Sequence, residues 1–476
     1  MTPVSKRLYI QTVGCQMNVL DSELVAAELI EAGYELVSTA AKADTILFNT
    51  CSVRQHAEDK IYSALGRVKP LKARRPEIII GVLGCMAQKD QAAIFRRAAH
   101  VDVVVGPGQL SRLPAILEEA ACQRGPRLEV ELDRRKSPPT ASGGSASGGS
   151  SFNPPRTAAA RQSPGQAMVR VMLGCDKFCT YCIVPRVRGP EQSRPAAEIV
   201  AEVRRLVADG CLEVTLLGQT VNSYCDRSEG RTLRLSGLLE RLHEIEGLRR
   251  LRFVTNHPRH VTGDLLEAVA NLPKVSPYLH VPAQSGSSRI LRRMKRGYTA
   301  EGYREMIERI RGAVPGAAIT SDFIVGFCGE TEEDFQLSVD LVRWARFKNS
   351  FIFKYSPRPW TRAIELYEDD VPEEVKRRRN NDLLAVQNAI CLEDNMPLLG
   401  RRVEILVEGP SKSARKRPSD SGQPVQLTGR TVCDRIVVLD GPPELAGKLL
   451  EVEIEKADAF TLFGRIPAKP ASGSEI

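Results

Sequence analysis

Two α/β domains followed by a small all-β barrel is the architecture that the sequence predicts, and three observations predict it. Short apolar runs alternate with amphipathic segments over about 7–122 and again from about 168 to 355, and strand alternating with helix implies parallel sheets. Between these regions, over about 134–165, the composition collapses to Ser, Gly, Pro, Thr and Ala. After Gly400 the character changes to β-branched runs separated by Gly and Pro turns. A chain of 476 residues is long enough for two or three sizeable cores. The expected domains are 1–125, 166–396 and 397–470, with 134–165 a flexible loop too poor in apolar surface to offset its ordering entropy.

In the first domain, strands are expected at 8–13, 46–48, 78–83 and 101–105, and helices at 21–32, 55–68, 88–99 and 109–121. This is the pattern of a doubly wound parallel sheet. Cys15, Cys51 and Cys85 each follow an expected strand almost at once, at separations of 51−15=36 and 85−51=34, the size of a βαβ unit. Ligands bind outside the carboxyl ends of such strands, so three thiols distant in sequence can converge on one point. Three unrelated buried thiols are the competing reading.

The second domain repeats the alternation, with strands expected at 168–173, 214–217, 251–255, 278–282, 319–325 and 350–355 and helices such as 195–208 and 332–345. Six units suggest a barrel or partial barrel with its active site at the carboxyl ends of the strands. The loop after the first strand reads Gly174-Cys175-Asp176-Lys177-Phe178-Cys179-Thr180-Tyr181-Cys182, three thiols within eight residues. The next cysteine, Cys211, lies beyond an expected helix, which leaves one coordination position open. Zinc would want a second Cys-x-x-Cys or His pair, and none exists. Disulfides want an oxidising compartment, so thiolate ligation of an iron-sulfur cluster fits best. Polar residues recur at the other strand ends: Gln219, Asn222, Gln284 and Asp322, with His257 and His280, which read equally well as core histidines satisfying backbone carbonyls.

A helix expected at 372–395 carries the basic run Lys376-Arg377-Arg378-Arg379, which reads as a solvated face. The terminal barrel shows strands at 403–407, 436–439 and 449–454. From residue 397 onward twelve Lys/Arg stand against eleven Asp/Glu, so any basic face must come from local clustering of Lys412, Arg415, Lys416, Arg417, Arg430 and Arg435.

The bulk numbers set limits. Hydrophobic content of 42% and charged content of 26% are those of a soluble globular protein. No run of about 18 apolar residues occurs, and the start leads into a strand-like segment rather than a signal peptide, so a cytoplasmic protein with no membrane partner is expected. The net charge of +9 is compatible with nucleic acid without proving it. Twelve cysteines favour metal or redox chemistry, with Cys122, Cys211, Cys225, Cys328, Cys391 and Cys433 left as packing or surface residues.

The C-x₃-C-x₂-C spacing with an aromatic residue before the last cysteine resembles the radical S-adenosylmethionine superfamily. The resemblance implies that Cys175, Cys179 and Cys182 are catalytic, holding a 4Fe-4S cluster whose fourth iron chelates S-adenosylmethionine and cleaves it to a 5′-deoxyadenosyl radical. Val13-Gly14-Cys15-Gln16-Met17-Asn18, Asn49-Thr50-Cys51-Ser52-Val53-Arg54 and Gly84-Cys85-Met86-Ala87-Gln88 resemble the cysteine motifs of methylthiotransferases. These imply a second, auxiliary 4Fe-4S cluster on Cys15, Cys51 and Cys85. The strand-end loops resemble those that contact S-adenosylmethionine and substrate in the same family, which implies cofactor-binding roles for Gln219, Asn222, Gln284 and Asp322, with Tyr181 near the adenine. Val407-Glu408-Gly409-Pro410-Ser411-Lys412, Leu427-Thr428-Gly429-Arg430-Thr431 and Phe460-Thr461-Leu462-Phe463-Gly464 resemble the RNA-binding TRAM barrel.

Together the matches cover nearly the whole chain outside the loop, and it is identified as a member of the tRNA methylthiotransferases. Leu217-Gly218-Gln219-x-Val221-Asn222 favours the branch acting on isopentenyl-modified adenosine 37 over those acting on threonylcarbamoyl-adenosine or a ribosomal protein side chain. The family implies two S-adenosylmethionine molecules per turnover, as methyl donor and radical source, with tRNA, an external electron donor and a sulfur source or cluster-repair protein as partners. A non-catalytic iron-sulfur RNA-binding protein is the reading from a different class. Thr220 stands where the family has Asn, Cys328 where it has Pro, Trp360 where it has Gly, and Cys433-Asp434 where it has Asn, which puts local geometry and the RNA contact of that turn in question.

Overall fold

The computed structural model describes residues 6–52, 55–123, 125–132, 153–161, 163–414 and 424–467, with only the backbone for 55–57. Most of the expected flexible loop, and Arg415, Lys416 and Arg417, lie outside them. Six parallel strands open the chain: β1 (Lys6–Val13), β2 (Tyr34–Leu36), β3 (Thr45–Thr50), β4 (Ile79–Gly84), β5 (Val103–Val105) and β6 (Arg127–Glu129). Their order is β2-β1-β3-β4-β5-β6, so the winding reverses between β1 and β3. β3 and β4 are buried along their whole length, as central strands covered on both faces must be. Separate apolar clusters around Phe48 and Ile80 and around Leu47 and Leu83 seal the two faces.

The expected helix at 88–99 is two helices, Cys85–Asp90 and Ala93–Arg97, because Gln91 turns the chain at φ 46°. The one expected at 109–121 is a 3₁₀ turn, Pro107–Arg112, followed by the helix Leu113–Cys122. β2 and β6 were not foreseen, since three residues are too few to show a period of two.

The central domain contains β7 (Gln166–Arg170), β8 (Glu213–Leu217), β9 (Arg250–Phe253), β10 (Tyr278–His280), β11 (Ala318–Val325) and β12 (Asn349–Lys354). They form two three-stranded parallel sheets, β9-β8-β7 and β10-β11-β12, linked by a bridge between Leu251 and Val275. The result is a six-stranded partial barrel. Amphipathic helices such as Ala196–Ala208 and Glu332–Ala345 bury Val203, Leu206, Phe335 and Val342 against its outer surface.

The last domain is a closed barrel of β13 (Arg402–Pro410), β14 (Val425–Thr431), β15 (Ile436–Gly441), β16 (Leu449–Ala457) and β17 (Thr461–Arg465), in the order β13-β14-β15-β17-β16. Closure removes the sheet edges that a five-stranded domain this small would otherwise expose.

Buried ion pairs join the domains. Asp21, fully buried on the helix Gln16–Glu31, pairs with Arg170 at 3.2 Å and Arg188 at 2.7 Å in the central domain. Burial pulls the Arg170 guanidinium down to about 10, against the opposing pull of Asp21. Arg156 spans Glu23 at 2.8 Å and Glu202 at 3.0 Å. The barrel is held by Arg250, which reaches Glu404 at 2.8 Å and the carbonyl of Arg430 at 2.9 Å, and by Arg252, which reaches Asp434 at 2.6 Å.

Two expectations change here. Arg430 pairs with Glu408 at 2.7 Å and Asp434 at 3.0 Å within the barrel, and Arg435 donates to the carbonyl of Asp394 outside it at 3.4 Å, so one serves the barrel's own packing and the other its docking rather than an open RNA face. Lys376 and Arg379 are buried on Asp369 and Glu330, and Arg378 pairs with Glu332, so the basic run is largely structural rather than solvated.

The unusual residues of the sequence acquire reasons. Asp434 has φ 63°, a left-handed conformation that short polar side chains tolerate, and its carboxylate is the hub of the barrel interface. Cys328 is fully buried among Phe327, Tyr355 and Met294. Trp360 has φ 67° and is 46% exposed, so it bears left-handed strain with limited packing in return. Trp360→Gly is expected to stabilise the protein by about 1 kcal/mol, read as a higher urea midpoint. A lower midpoint would mean that contacts of the indole outweigh the strain.

Candidate functional site

The three N-terminal cysteines stand at the carboxyl ends of β1, β3 and β4, on the side of the sheet where its winding reverses. Their motif glycines and asparagines make the convergence possible. A Cβ on Gly14 would meet the Cβ of Cys51 at 2.9 Å, and one on Gly84, whose φ is 88°, would run into Asn49. Asn18 donates to Asn49 Oδ1 at 3.1 Å, and Asn49 returns a bond to the Asn18 carbonyl at 2.9 Å, which fixes the loop of Cys15 against the end of β3. Cys51 and Cys85 are buried and Cys15 is open to solvent.

Charge at this trio comes from another domain. A hydrogen bond from Cys51, helped against partial desolvation by the Arg188 guanidinium, holds the Cys15 thiol down at about 6. Burial pushes Cys85 up, while Arg188 Nε donates to its sulfur at 3.3 Å. Arg188 Nη2 is on Asp21, and Nη1 is a buried donor with no hydrogen-bond partner among the described residues.

The second trio lies on the loop after β7. Gly174, at φ 71°, lets the chain pass so close to Gly189 and Pro190 that a side chain would collide with their carbonyls. Cys175 N donates to the Gly189 carbonyl at 3.2 Å and Thr180 N to Met294 at 3.0 Å, which pins the loop at both ends. Arg296 Nη1 donates to Cys179 Sγ at 3.1 Å, and Thr220 Oγ1 lies 3.7 Å from Cys175 Sγ. Burial, with the neighbouring thiols Cys179 and Cys175, pushes Cys182 up to about 12.

One short segment links the second trio to the first. Cys182 leads directly into Ile183 and the helix Val184–Val187, and Ile183 and Val187 pack on Cys85 before Arg188 reaches its sulfur. Among the described residues no trio of His, Cys, Asp or Glu is drawn together as for a single metal ion. A 4Fe-4S cluster is larger and asks for thiols set around a space, with N–H donors on their sulfurs. Each trio brings three cysteines at strand ends and one buried guanidinium that donates to a sulfur, Arg188 to Cys85 and Arg296 to Cys179.

Beside Cys182 opens a cavity of about 690 Å³ between the barrel end and the N-terminal domain, which contributes Asp59. Tyr181, Gln284 and Asp322 line it; Gln219 and Asn222 do not. Gln284 is held at φ 71° by bonds from its backbone to Asp322 and Ile324 on β11. Asp322 lies 3.5 Å from His280. Asn222 spends its amide on the backbone of His257, at 2.9 and 2.8 Å, and so ties two strand-end loops together. Gln219 Oε1 is buried without a partner among the described residues, a state costing about 1–3 kcal/mol that a ligand with a donor would relieve.

His257 is a core histidine: burial lowers it to about 2, and its Nδ1 accepts from the backbone of Arg259. Lys354, Tyr355, Arg358 and Lys376 also line the cavity. Sequence reading missed these as site residues, along with Arg188 and Arg296. Arg188 sits in the motif that follows the cysteines, but nothing local marks Arg296, 117 residues from the thiol it touches.

Comparison with known proteins is consistent over the full chain. Residues 7–106 match Uncharacterized protein family UPF0004, 169–342 the Radical SAM superfamily and 397–466 the TRAM domain. A tRNA-2-methylthio-N(6)-dimethylallyladenosine synthase of Rhodopirellula baltica is 56% identical over 467 residues, covering 98% of this chain and 96% of that protein. One from Moorella thermoacetica is 42% identical, covering 98% and 99%. Among solved structures, a radical S-adenosylmethionine methyltransferase from Kitasatospora setae shares the fold at a TM-score of 0.52 and 15% identity, over 76% of this chain and 77% of that one. The chain belongs to the tRNA-2-methylthio-N(6)-dimethylallyladenosine synthase family.

Proposed function

We propose that the protein transfers a methylthio group to carbon 2 of N6-dimethylallyladenosine at position 37 of tRNA. The observation that carries this reading is the pair of thiol trios joined through the segment from Cys182 to Arg188, which packs on Cys85, with a cavity beside Cys182. Carbon 2 of adenine has no acidic proton and no leaving group, so neither general-base nor ordinary nucleophilic catalysis can install sulfur there. Bound 4Fe-4S clusters and two molecules of S-adenosylmethionine supply the electrons, the methyl group and the radical that such a substitution requires.

The roles assigned to the residues follow from what each touches. Cys175, Cys179 and Cys182 hold the radical cluster, with Arg296 balancing thiolate charge at Cys179. Cys15, Cys51 and Cys85 hold the auxiliary cluster, with Arg188 doing the same at Cys85 while bridging to Asp21. Tyr181, Gln284 and Asp322 offer polar walls to S-adenosylmethionine, and Gln219 an unpaired acceptor. Ile324, Phe353 and Tyr355 give the cavity an apolar wall on which a dimethylallyl group can pack. Asn222 positions the loop rather than touching the ligand.

An external electron donor and a sulfur source or cluster-repair protein complete the assignment, and the cytoplasm is the compartment it calls for. No helix among the described residues is long and apolar enough to cross a membrane. The test is to reconstitute the protein anaerobically and supply tRNA lacking the methylthio group, or ribosomes. A mass gain of one methylthio group on the dimethylallyl nucleoside, with about eight irons per chain, is expected. Gain on a ribosomal protein alone, or clusters without 5′-deoxyadenosine formation, would replace this reading with one of its competitors.

A further inference from the structure

The helix Gln55–Arg74 starts four residues after Cys51 and carries Asp59 into the cavity wall. Tyr62, Gly66 and Lys69 follow at the spacings of one helix face and lead away from the cavity. They form one side of a second concavity, of about 730 Å³, whose other side is Arg96, Arg97 and His100 at the end of the helix Ala93–Arg97. Neither trio takes part in this region, and no role described above uses it.

Three cations face this space, and among the described residues no carboxylate lines it. Lys69 and Arg96 are exposed, and neither has an ion-pair partner among the described residues. Arg97 lies over the ring of Tyr62, 3.7 Å from its centroid, and the Tyr62 hydroxyl is on Asp90 at 3.3 Å. A ring nitrogen of His100 is engaged by the Leu65 carbonyl at 2.8 Å. With that face of Tyr62 already covered, the concavity offers charge rather than a stacking platform. Unpaired cations in a concave surface focus positive potential, which suits a phosphate and not a base.

We propose that this concavity holds a backbone phosphate of the RNA whose reactive adenine enters the cavity beside Cys182. The proposal rests on the tRNA reading given above. Ten residues of helix separate Asp59 from Lys69, about 15 Å, which a few nucleotides of single-stranded RNA span. An acidic protein would also be drawn to three cations, but placement of both pockets along one helix face favours a single ligand that reaches both.

The test is the full-length variant Lys69→Gln/Arg96→Gln/Arg97→Gln against wild type, with tRNA affinity measured over a salt series. Lys69 and Arg96 are exposed but Arg97 gives up its stack on Tyr62, so a small drop in melting temperature with an unchanged far-UV dichroism spectrum is expected. Loss of these contacts is expected to weaken tRNA binding on the order of tenfold near physiological salt and to lower the slope of log affinity against log salt by about 2. The methylthiolation rate at saturating tRNA should stay the same. Equal affinity and slope in the two proteins would overturn the phosphate site. So would unchanged tRNA binding accompanied by loss of reduction by a protein donor but not by dithionite, which would assign the surface to an acidic protein. A wild-type protein that fails to bind this tRNA would overturn the tRNA reading and the proposal together.

Discussion

Replacing Cys175, Cys179 or Cys182 with alanine is expected to abolish 5′-deoxyadenosine formation, whereas replacing Cys15, Cys51 or Cys85 is expected to leave it measurable. The second group should instead lose both the methylthio product and S-adenosylhomocysteine, since the sulfide that accepts the methyl group is gone. The separation rests on geometry: the first three thiols share one loop after β7, and the others terminate three strands of a different domain. Cys85 is the exacting case because it packs on Ile183 and Val187, within the segment that leads away from Cys182. Cys85→Ser preserves its volume and tells loss of a ligand from loss of packing. A folded Cys85→Ala protein that forms methylthio-adenosine near the wild-type rate would remove the auxiliary cluster from these residues. Liquid chromatography with mass detection of all three small products, run on each variant, reads the outcome.

Asp21→Asn should be the most damaging single change outside the cysteines. The carboxylate is fully buried and pairs with two guanidiniums that are themselves buried. Removing one partner of a buried pair costs about 3–5 kcal/mol, because the charge left behind has neither water nor a counterion. Here the stranded groups include Arg188, which also donates to Cys85, so damage reaches the auxiliary site as well as the domain interface. The expected result is a large fall in the urea midpoint together with loss of iron from the N-terminal trio, measured in a protein whose radical-site cysteines are replaced by alanine. A variant with wild-type stability and full iron content would show that Arg188 holds its place without Asp21.

Sequence alone determined the two α/β domains and the final barrel, because hydrophobic periodicity is a local property and each unit repeats it. It also singled out both sets of cysteines, since three thiols in one loop, or three at successive strand ends, are patterns of spacing. The boundaries slipped where local conformation beat periodicity, as at Gln91, whose positive φ splits the helix expected at 88–99. Tertiary structure decided what surrounds the thiols. Arg188 and Cys85 are 103 residues apart and Arg296 and Cys179 are 117 apart, and a single arginine at such a distance leaves no periodic trace. It also reassigned charge: Arg430, Arg435 and Arg379 looked available to RNA or solvent, yet Arg430 is spent on Glu408 of the neighbouring strand, Arg435 on the carbonyl of Asp394 and Arg379 on Glu330. The physical reason is the same in every case. Burial makes an unpaired charge expensive, so a buried cation is committed to whichever acceptor the fold brings to it, and that partner is fixed by packing rather than by neighbours in the chain.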